Sequence, residues 1–381
     1  MHVAIAALSR FTSPSGICRH AANLAQSLAL RQEIDRVTFI SGDWQRYYYD
    51  LIAFESPKLE FRTVRIHNSS VARNRWFLYG LPRIVRSMEA GILHLSFPLP
   101  SPRTPEYKTV VTLHDLYPYD CPEVFGFPNV YFNRMALRRS LANSDAIACV
   151  SSTTLERLNQ HFSAREQAKA VVIPNSVPES KAETRMPDRW NTPEFVLMVA
   201  QHRHNKNLPL AVQSFAVMVK RKLVSRTTAL VIVGCSGPET PRLRQQIEAL
   251  GLSGNVILLQ SLPESELQWI YQHCKLFLVT SRYEGFCLPL VEALRAGCNV
   301  VCAGLPVLRE IGGESCFYFD PATADPGEVT NAASQALTKG NSHTAADLQR
   351  FSFEAVGEAY VHLYQSLTGG NVQPARECVR A

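Results

Sequence analysis

The sequence predicts an α/β protein made of two doubly wound domains, each with a parallel β-sheet covered by helices on both faces. Short runs of Val, Ile and Leu alternate with stretches of helical periodicity, which is the pattern of parallel strands joined by crossover helices. One such series fills about half of the 381 residues, and a second follows after a polar segment. The length also favours two domains over one.

The first series supplies six predicted strands, each a short β-branched run bounded by turn residues. In chain order they are HVAIAAL, RVTFIS, GILHLS, TVVTLHD, DAIACVS and AVVIPN. The stretch ICRHAANLAQSLAL follows the first of them and has the periodicity of an amphipathic helix.

The second series repeats this pattern with the strands FVLMVA, ALVIVG, NVILLQ, KLFLVT, NVVCAG and CFYFD and with helices in PRLRQQIEAL and ESELQWIYQHC. Residues 177–195 between the two series are polar, contain three prolines and are the predicted linker. After residue 350, SFEAVGEAYVHLYQSLTGG predicts a last helix that ends at paired glycines. The predicted divisions are therefore 1–176, 177–350, and a C-terminal helix and tail over 351–381.

Composition excludes several classes of protein. No apolar run reaches the length of about 18 residues that a membrane-spanning helix needs, and MHVAIAALS is typical of a buried strand rather than a signal peptide. The ten cysteines show no CxxC pair or zinc-like spacing, so free thiols in a reducing cytoplasm are expected.

Positive charge is concentrated in the first half of the chain. Residues 1–190 carry 23 Lys and Arg against 17 Asp and Glu, whereas residues 191–381 carry 16 against 16. The two halves are therefore expected to meet different partners.

Common nucleotide motifs are absent. Ligands of doubly wound folds bind outside the carboxyl ends of the strands, and two such domains would form a cleft there. The turn after the first strand, SRFTSPSGICRH, has Gly16 as its only glycine, which disfavours an NAD or FAD site. The chain has no GxxxxGK[ST] loop and no two aspartates separated by one residue, which argues against a Walker site and against a metal held by such a pair.

The segment SRYEGFCLPLVEALRAG, residues 281–297, places Glu284 in a predicted loop and Glu292 in the helix that follows. Pro289 suits the first helical position and Gly297 the end, so the helix has about two turns and directs its amide end at residues 284–288. Such an end binds phosphate, and two acids beside it could accept hydroxyls from the sugars of a nucleotide-sugar. Alternatively, Glu292 only complements the helix dipole and Glu284 is solvated surface.

The segment EGFCLPLVEALRAG resembles the E-x7-E motif of the retaining glycosyltransferases of family GT4. These enzymes have the GT-B fold, two Rossmann-like domains that face a central cleft. Further segments similar to the family, in order, are VVTLHDLYP (110–118), SDAIACVSSTTLERL (144–158), VVIPNSVPE (171–179), LVIVG (230–234), NVILLQSLPESELQWIYQHCKLFLVTSRYEGF (255–286) and VLREIGG (307–313). The final helix resembles the family's crossover helix, which packs back on the first domain. The resemblance covers nearly the whole chain.

This resemblance implies that the C-terminal domain binds the donor, with Glu284 on the transferred hexose and Glu292 on the ribose. Lys206 matches the family's lysine for the diphosphate, although it could also only cap a turn. The family's arginine or glycine positions, near Ala200 and Gln201, are not matched here, and Arg203 is the substitute. Backbone contacts to hexose, diphosphate and base are expected from Phe286, Cys287, Leu288, Ser261 and Leu262.

In the first domain, the resemblance places His114, followed by Asp115, near the anomeric carbon of the donor sugar; a strand-end histidine can also be purely structural. Gly16 would let the first loop approach the diphosphate closely. The family's route is front-face displacement with retention of configuration and without a metal or other cofactor. Cations at the leaving diphosphate are its main electrostatic requirement. The paired carboxylates of retaining glycosidases are not proposed here.

Residues 61–88 contain six arginines and no acid, and three aromatic residues lie between Arg75 and Arg83. This composition suits an anionic membrane surface or a lipid-diphosphate acceptor, with Arg73, Arg75 and Trp76 as acceptor-binding residues. It equally suits a solvated basic helix face whose aromatic side chains turn to the core. Nucleic acid is disfavoured because no recognition motif accompanies the segment.

The expected function is a cytoplasmic retaining hexosyltransferase that uses a GDP- or UDP-hexose, with mannose as the first candidate. The expected acceptor is a glycan or lipid-linked saccharide in cell-surface polysaccharide synthesis, with peripheral contact to the inner membrane. Two alternatives stay open. One is a catalytically silent subunit that binds nucleotide-sugar or glycan, and the other is a nucleotide-sugar 2-epimerase, which the E-x7-E segment disfavours.

Overall fold

The computed structural model describes residues 1–52, 55–179, 183–188, 190–340 and 348–369. The chain divides into two compact units. Unit 1 comprises Met1–Pro178 together with Arg350–Ala381, and unit 2 comprises Glu179–Gln349. The division after residue 178 lies close to the one expected after 176, inside the predicted linker.

Unit 1 contains a seven-stranded parallel sheet with the strand order β3-β2-β1-β4-β5-β6-β7. Its strands are β1 (His2–Ala6), β2 (Arg36–Gly42), β3 (Leu59–Val64), β4 (Ile92–Leu95), β5 (Lys108–Leu113), β6 (Ala146–Cys149) and β7 (Ala170–Val172). Six of them are the predicted runs, so the parallel α/β prediction is confirmed for this half. The sequence did not predict β3, an edge strand in which charged Glu60 and Arg62 alternate with half-buried residues.

The helices of unit 1 before its last one are α1 (Gly16–Ala29), α2 (Tyr48–Leu51), α3 (Ser70–Arg75), α4 (Leu81–Ser87), α5 (Tyr117–Asp120), α6 (Asn129–Asn143), α7 (Ser152–His161) and α8 (Ala164–Gln167). A π-helical stretch, Trp76–Gly80, joins α3 to α4. A 3-10 turn, Pro122–Val124, follows α5. The basic segment 61–88 is therefore not one helix, because its first residues belong to β3.

The core of unit 1 lies on both faces of its sheet, because successive side chains of a strand point to opposite faces. Val3 and Ile5 of β1 contact the cluster that includes α1, whereas Ala4 and Ala6 contact the cluster on the other face. All four are fully buried. Burial on both faces explains why the strands are continuous apolar runs rather than alternating ones.

Unit 2 contains a six-stranded parallel sheet with the strand order β10-β9-β8-β11-β12-β13. Its strands are β8 (Phe195–Val199), β9 (Ala229–Val233), β10 (Val256–Leu259), β11 (Leu276–Val279), β12 (Val300–Ala303) and β13 (Phe317–Phe319). All six were predicted. The strand order reverses at β8, between β9 and β11, and this reversal is where doubly wound sheets bind ligands.

The helices of unit 2 are α9 (Leu208–Lys220), α10 (Thr240–Ala249), α11 (Glu264–His273), α12 (Leu288–Arg295), α13 (Pro306–Gly312) and α14 (Pro326–Lys339). Short 3-10 turns occupy His204–Lys206 and Gly313–Ser315. The sequence-predicted helices PRLRQQIEAL and ESELQWIYQHC correspond to α10 and α11.

The last described helix, α15 (Phe353–Leu367), follows a 3-10 turn at Gln349–Phe351 and packs on α1 of unit 1. A Cβ atom at Gly357 would lie 2.6 Å from the Ser27 carbonyl oxygen, so only a glycine permits this close approach. Tyr360 and Tyr364 are fully buried in the core cluster that contains α1. The end of the predicted tail, residues 370–381 with Cys378, lies outside the described residues.

The helices and the cysteines of the described residues bear on two expectations from composition. None of the helices that the structure describes is long and apolar enough to cross a bilayer. The nine cysteines within the described ranges have free thiols, and seven of them are buried.

Candidate functional site

The carboxyl ends of β8 and β11 open onto the same edge of the unit 2 sheet, because these parallel strands pair directly, with Leu276 opposite Val196. The loops that follow the two strands are joined by hydrogen bonds. The Thr280 hydroxyl donates to the carbonyl oxygens of Lys206 and Asn207, each at 3.1 Å, and the Arg282 amide donates to the Asn205 carbonyl at 2.8 Å. This pairing brings residues far apart in sequence to one place.

Lys206 and Glu284 form an ion pair at this edge. The Lys206 Nζ atom donates to Glu284 Oε1 at 2.5 Å, and the Ser281 hydroxyl donates to the same oxygen at 2.7 Å. The Glu284 side chain is 6% exposed and that of Lys206 is 21% exposed. The interpretation of Glu284 as solvated surface is therefore wrong, and Lys206 does more than end a turn.

The charge of Lys206 is stabilised by its partner. Burial alone would lower the pKa of the ammonium group, but the Glu284 carboxylate outweighs it, so the pKa of Lys206 is raised. Lys206 is therefore a fixed positive charge at neutral pH, and Glu284 is the group that holds it in place.

Helix α12 begins at the same edge. Its first residue is Leu288, so Pro289 takes the second helical position rather than the predicted first, and Gly297 follows the helix with φ +78° as expected for a helix end. Cys287 precedes the helix with φ +98°, a backbone conformation that favours glycine. Its thiol is buried, and burial raises the pKa of Cys287 well above its usual range. The loop Phe286–Leu288 is thus held by its surroundings rather than by local preference.

Glu292 lies on the second turn of α12. The hydroxyl of Tyr271, a fully buried residue of α11, donates to Glu292 Oε2 at 2.8 Å. Sequence reasoning missed Tyr271, whose spacing from Leu267 and Ile270 indicates only the buried face of α11. The carboxylate is therefore oriented by a phenol from the neighbouring helix.

The remaining donor-side residues lie in loops after β8 and β10. Arg203 is exposed and precedes the 3-10 turn that ends at Lys206. Ser261 is exposed and Leu262 is half-buried, after β10, which is two strands away from β8. The loop after β9 lies against the loop after β8, since a Cβ atom at Gly234 would be 1.9 Å from the Ala200 carbonyl oxygen.

In unit 1, His114 follows β5 at the carboxyl edge of that sheet. Its Nε2 atom lies 2.8 Å from the Ser96 carbonyl oxygen, which can only accept, so Nε2 carries the proton of the neutral ring. Burial lowers the pKa of His114 to about 4, and the hydrogen bond to Ser96 only partly opposes this. His114 is therefore a neutral imidazole at physiological pH, with Nδ1 as a hydrogen-bond acceptor.

A buried polar network lies behind His114. The His20 ring contacts the His114 ring edge-on, with 4.6 Å between centroids, and His20 Nε2 lies 3.2 Å from the Thr112 hydroxyl. His94 joins Thr112 at 2.8 Å and the Tyr364 hydroxyl at 2.6 Å. Sequence reasoning missed this network, because its members come from four separate elements.

Gly16 is the first residue of α1, and a Cβ atom there would meet no atom within 4 Å. The space beside it is therefore open in the structure as described, and a small residue is not required by packing.

The predicted acceptor-binding residues differ in their exposure to solvent. Trp76, a predicted acceptor-binding residue, is buried in the core cluster of unit 1, where its ring packs edge-on against Phe77 and is not available to an acceptor. Arg73 is half-buried and donates to the Asn68 and Ser70 side chains, whereas Arg75 is exposed. The packing interpretation is right for Trp76 and Phe77, whereas Tyr79 is exposed.

Within the described ranges, no three His, Cys, Asp or Glu side chains come together in the way that a metal site requires. Of the predicted donor-binding side chains, Lys206 and Glu284 are in contact. Glu292 lies on the helix that follows Glu284. His114 and Gly16 belong to unit 1.

Two family models match consecutive parts of the chain. The model described as Glycosyltransferase Family 4 matches residues 14–181, and the model described as Glycosyl transferases group 1 matches residues 180–345. The junction between the two matches lies next to the division between units 1 and 2.

Curated relatives are identical to this chain at about one aligned residue in four. The chain is 25% identical to the O-antigen chain mannosyltransferase B of Escherichia coli over 227 residues, which cover 57% of this chain and 58% of that protein. It is 25% identical to the serotype-specific mannosyltransferase WbdA of Escherichia coli over 291 residues, which cover 70% of this chain and 35% of that protein. The chain thus matches about a third to somewhat over half of the length of these relatives.

Solved structures share the fold. The Anabaena protein HepE, in complex with UDP and glucose, superposes with a TM-score of 0.69 at 17% identity over 96% of this chain and 100% of that one. Sucrose-phosphate synthase from Thermosynechococcus elongatus superposes with a TM-score of 0.71 at 17% identity over 97% of this chain and 100% of that one.

Proposed function

The chain belongs to the group 1 glycosyltransferases and has their GT-B fold, and on that premise we propose that it transfers a mannosyl group from a nucleotide-mannose to a saccharide acceptor. The observation that carries the proposal is the Lys206–Glu284 pair at the carboxyl ends of β8 and β11. It places a fixed cation and a held carboxylate where a doubly wound sheet binds its ligand.

The first step is recognition of the donor diphosphate by Lys206. Negative charge grows on the leaving diphosphate as the glycosidic bond breaks, and a preorganised ammonium group lowers the energy of that state. The amino-terminal end of α12, at Leu288, directs its backbone amides to the same edge and adds to this stabilisation. Arg203, on the same loop as Lys206, is the proposed second cation.

The second step is recognition of the two sugars of the donor. Glu284 uses Oε1 for Lys206 and Ser281, while Oε2 has no hydrogen bond to any residue that the structure describes. Oε2 is therefore the atom that accepts hydroxyls of the hexose. Glu292, oriented by Tyr271, accepts from the ribose hydroxyls, and the backbone at Ser261 and Leu262 contacts the base.

The third step is transfer. His114, neutral and held by Ser96, offers Nδ1 as an acceptor to the sugar near its anomeric carbon. We assign the front-face route, in which the leaving phosphate oxygen takes the proton of the acceptor hydroxyl and configuration is retained. Neither a metal ion nor another cofactor is part of this proposal, and activity should persist in the presence of a chelator.

The choice of mannose rests on the names of the relatives at about 25% identity, which are O-antigen and serotype-specific mannosyltransferases. A GDP-mannose donor and a glycan or lipid-linked acceptor of surface polysaccharide synthesis are the corresponding proposals. Donor recognition is assigned to unit 2 and acceptor recognition to unit 1.

The test has a binding part and a transfer part. Calorimetric titration of the full chain with GDP-mannose, UDP-glucose and free GDP should give measurable affinity for GDP-mannose without added metal. Glu292→Gln should weaken binding by about 1–2 kcal/mol, or roughly tenfold, through lost ribose contacts. Glu248→Gln, on the exposed side of α10, is the matched control and should bind as the wild type does.

The transfer part uses GDP-mannose with mannose-terminated glycan acceptors and NMR analysis of the new linkage. An α-linked product from the α-configured donor supports retention, and a β-linked product contradicts it. Donor binding without transfer to any acceptor would favour the silent subunit, and conversion of the free nucleotide-sugar at C2 would favour the epimerase. Tighter binding of UDP-glucose than of GDP-mannose would replace the mannosyl assignment.

A further inference from the structure

The outer face of α6 and the turn before it expose an unusual amount of apolar surface. Among the described residues, twelve large hydrophobic side chains are exposed, and five of them lie between residues 124 and 135. Phe127 is 84% exposed, Tyr131 and Phe132 are each 61% exposed, and Met135 is 62% exposed. We call Phe127, Tyr131, Phe132, Met135 and the exposed Arg139 the α6 patch. Such a concentration is unlike the scattered single apolar residues of an ordinary protein surface.

The α6 patch is contiguous and is not needed to hold α6 on unit 1. Val130, Leu137 and Leu141 form the buried face of the helix. Tyr131, Met135 and Arg139 follow one another at intervals of four residues on a different face, so they are neighbours on the helix surface. Phe127 extends this row, since its ring packs edge-on against that of Tyr131 with 5.9 Å between centroids.

The charge along α6 has one sign. Residues 124–143 contain three arginines and no acidic residue. Arg134 and Arg138 lie over the Tyr119 ring at 4.9 and 5.8 Å, beside the patch, and Arg139 lies on it. Exposed aromatic rings interleaved with arginine are the composition of surfaces that sit in the headgroup region of anionic bilayers.

We propose that the α6 patch docks unit 1 on an anionic phospholipid surface. Phe127, Tyr131 and Phe132 enter the boundary between headgroups and acyl chains, and Arg139 binds lipid phosphate. The surface is a different one from the basic segment 61–88, where Trp76 and Phe77 are buried and the large exposed apolar residues are Val71 and Tyr79.

The docking matters for function because the α6 patch follows the His114 loop closely along the chain. The loop with His114 leads through α5 and the 3-10 turn directly into Phe127 and α6. A lipid-linked acceptor held in the bilayer would then reach unit 1 near the strand edge that carries His114. That consequence rests on the proposed function, whereas lipid binding itself does not, so the two can fail separately.

The test is flotation of the full chain with vesicles. One set contains equal parts of phosphatidylcholine and phosphatidylglycerol, and the other contains phosphatidylcholine alone. Wild type should float with the anionic vesicles, less with the neutral ones, and less in high salt, because salt screens the arginine–phosphate attraction. The triple variant Phe127→Ser/Tyr131→Ser/Phe132→Ser and, separately, Arg139→Glu should each lower the partition coefficient by about tenfold or more.

The matched control is Tyr79→Ser, because Tyr79 is 62% exposed, as Tyr131 is, but lies on the basic segment 61–88. It should bind vesicles as the wild type does. Far-ultraviolet circular dichroism checks that each variant is folded. If the triple variant does not fold, Arg139→Glu still tests the proposal. Absence of vesicle binding by the wild type, or equal loss with Tyr79→Ser, would overturn the proposal. Self-association that the triple variant abolishes, without vesicle binding, would overturn it in favour of a protein partner.

Discussion

At the scale of single residues, the ion pair between Lys206 and Glu284 is the feature on which the donor site depends. The two residues are 78 positions apart, and their side chains are largely shielded from water. A shielded pair of this kind gains little over an apolar pair, but removal of one partner leaves the other charge without compensation. The pair therefore holds both charges in place, and each side chain needs the other.

We therefore expect Lys206→Met to lower the free energy of unfolding by about 3 kcal/mol, since Glu284 would remain shielded without a partner. The double variant Lys206→Met/Glu284→Gln should recover much of this loss, and urea denaturation measures both. Lys220→Met, an exposed lysine at the end of α9, is the control and should change stability by less than about 0.5 kcal/mol. Additive losses in the double variant would show that the two side chains do not act as a pair.

The charge of Lys206 contributes to the free energy of unfolding in a way that depends on pH, and the direction of this dependence is defined. The pKa of Lys206 is raised in the folded protein, so its stabilising effect is complete below the ordinary lysine pKa of about 10.4 and is lost only as pH rises through the higher folded value. The pair is therefore expected to persist throughout the physiological range.

At the scale of elements, the buried network joins β4, β5, α1 and α15 behind His114. Burial, with a smaller contribution from His114, lowers the pKa of His94 to about 3, and burial lowers the pKa of His114 to about 4. The pKa of His20 is also lowered, first by burial and then by His114 and His94. The tyrosine hydroxyls of α15 that face the network, Tyr360 and Tyr364, are neutral because burial raises their pKa values.

These histidines should make unit 1 less stable as pH falls from about 6.5 toward 4. In that window the unfolded chain binds protons at these positions and the folded chain does not, which costs about 1.4 kcal/mol per pH unit for each histidine. Urea denaturation at about pH 7 and about pH 5 measures the slope. His94→Gln should reduce it, whereas His67→Gln, an exposed histidine of the same unit, should not. An unchanged slope in His94→Gln would contradict the assignment.

At the scale of the whole molecule, unit 1 is built from both ends of the chain. The close approach of α15 to α1 at Gly357 and Ser27 closes this unit after the chain has passed through unit 2. Its stability therefore depends on a helix that is distant in sequence from the sheet that it covers.

We expect Gly357→Val to destabilise unit 1 by about 1–3 kcal/mol, because the new side chain meets the Ser27 backbone, which cannot move aside as a flexible side chain could. Hydrogen exchange followed by mass spectrometry should show faster exchange in α1 and β1 and unchanged exchange in unit 2. Gly91→Ala is the control in the same unit, since a Cβ atom there meets nothing within 4 Å. Equal acceleration in both units would show that they unfold as one.

The sequence by itself predicted the fold because its signals are local. Continuous apolar runs indicated strands buried on both faces, and twelve of the thirteen strands in the described part of the chain were found in this way. The strand β3 was missed because it lies at a sheet edge, where burial is partial and the apolar run is interrupted. The segment with Glu284 and Glu292 was recognisable because loop and helix are consecutive.

Only the tertiary structure decided which of these residues meet. The order of strands places β8 beside β11 and so joins Lys206 to Glu284, and helix packing joins Tyr271 to Glu292. It also turned Trp76 into the core and left Phe127 and Tyr131 outside it, although all three are aromatic residues. The physical reason is that periodicity records how a segment is buried, whereas contacts between distant segments depend on how the sheets and helices assemble.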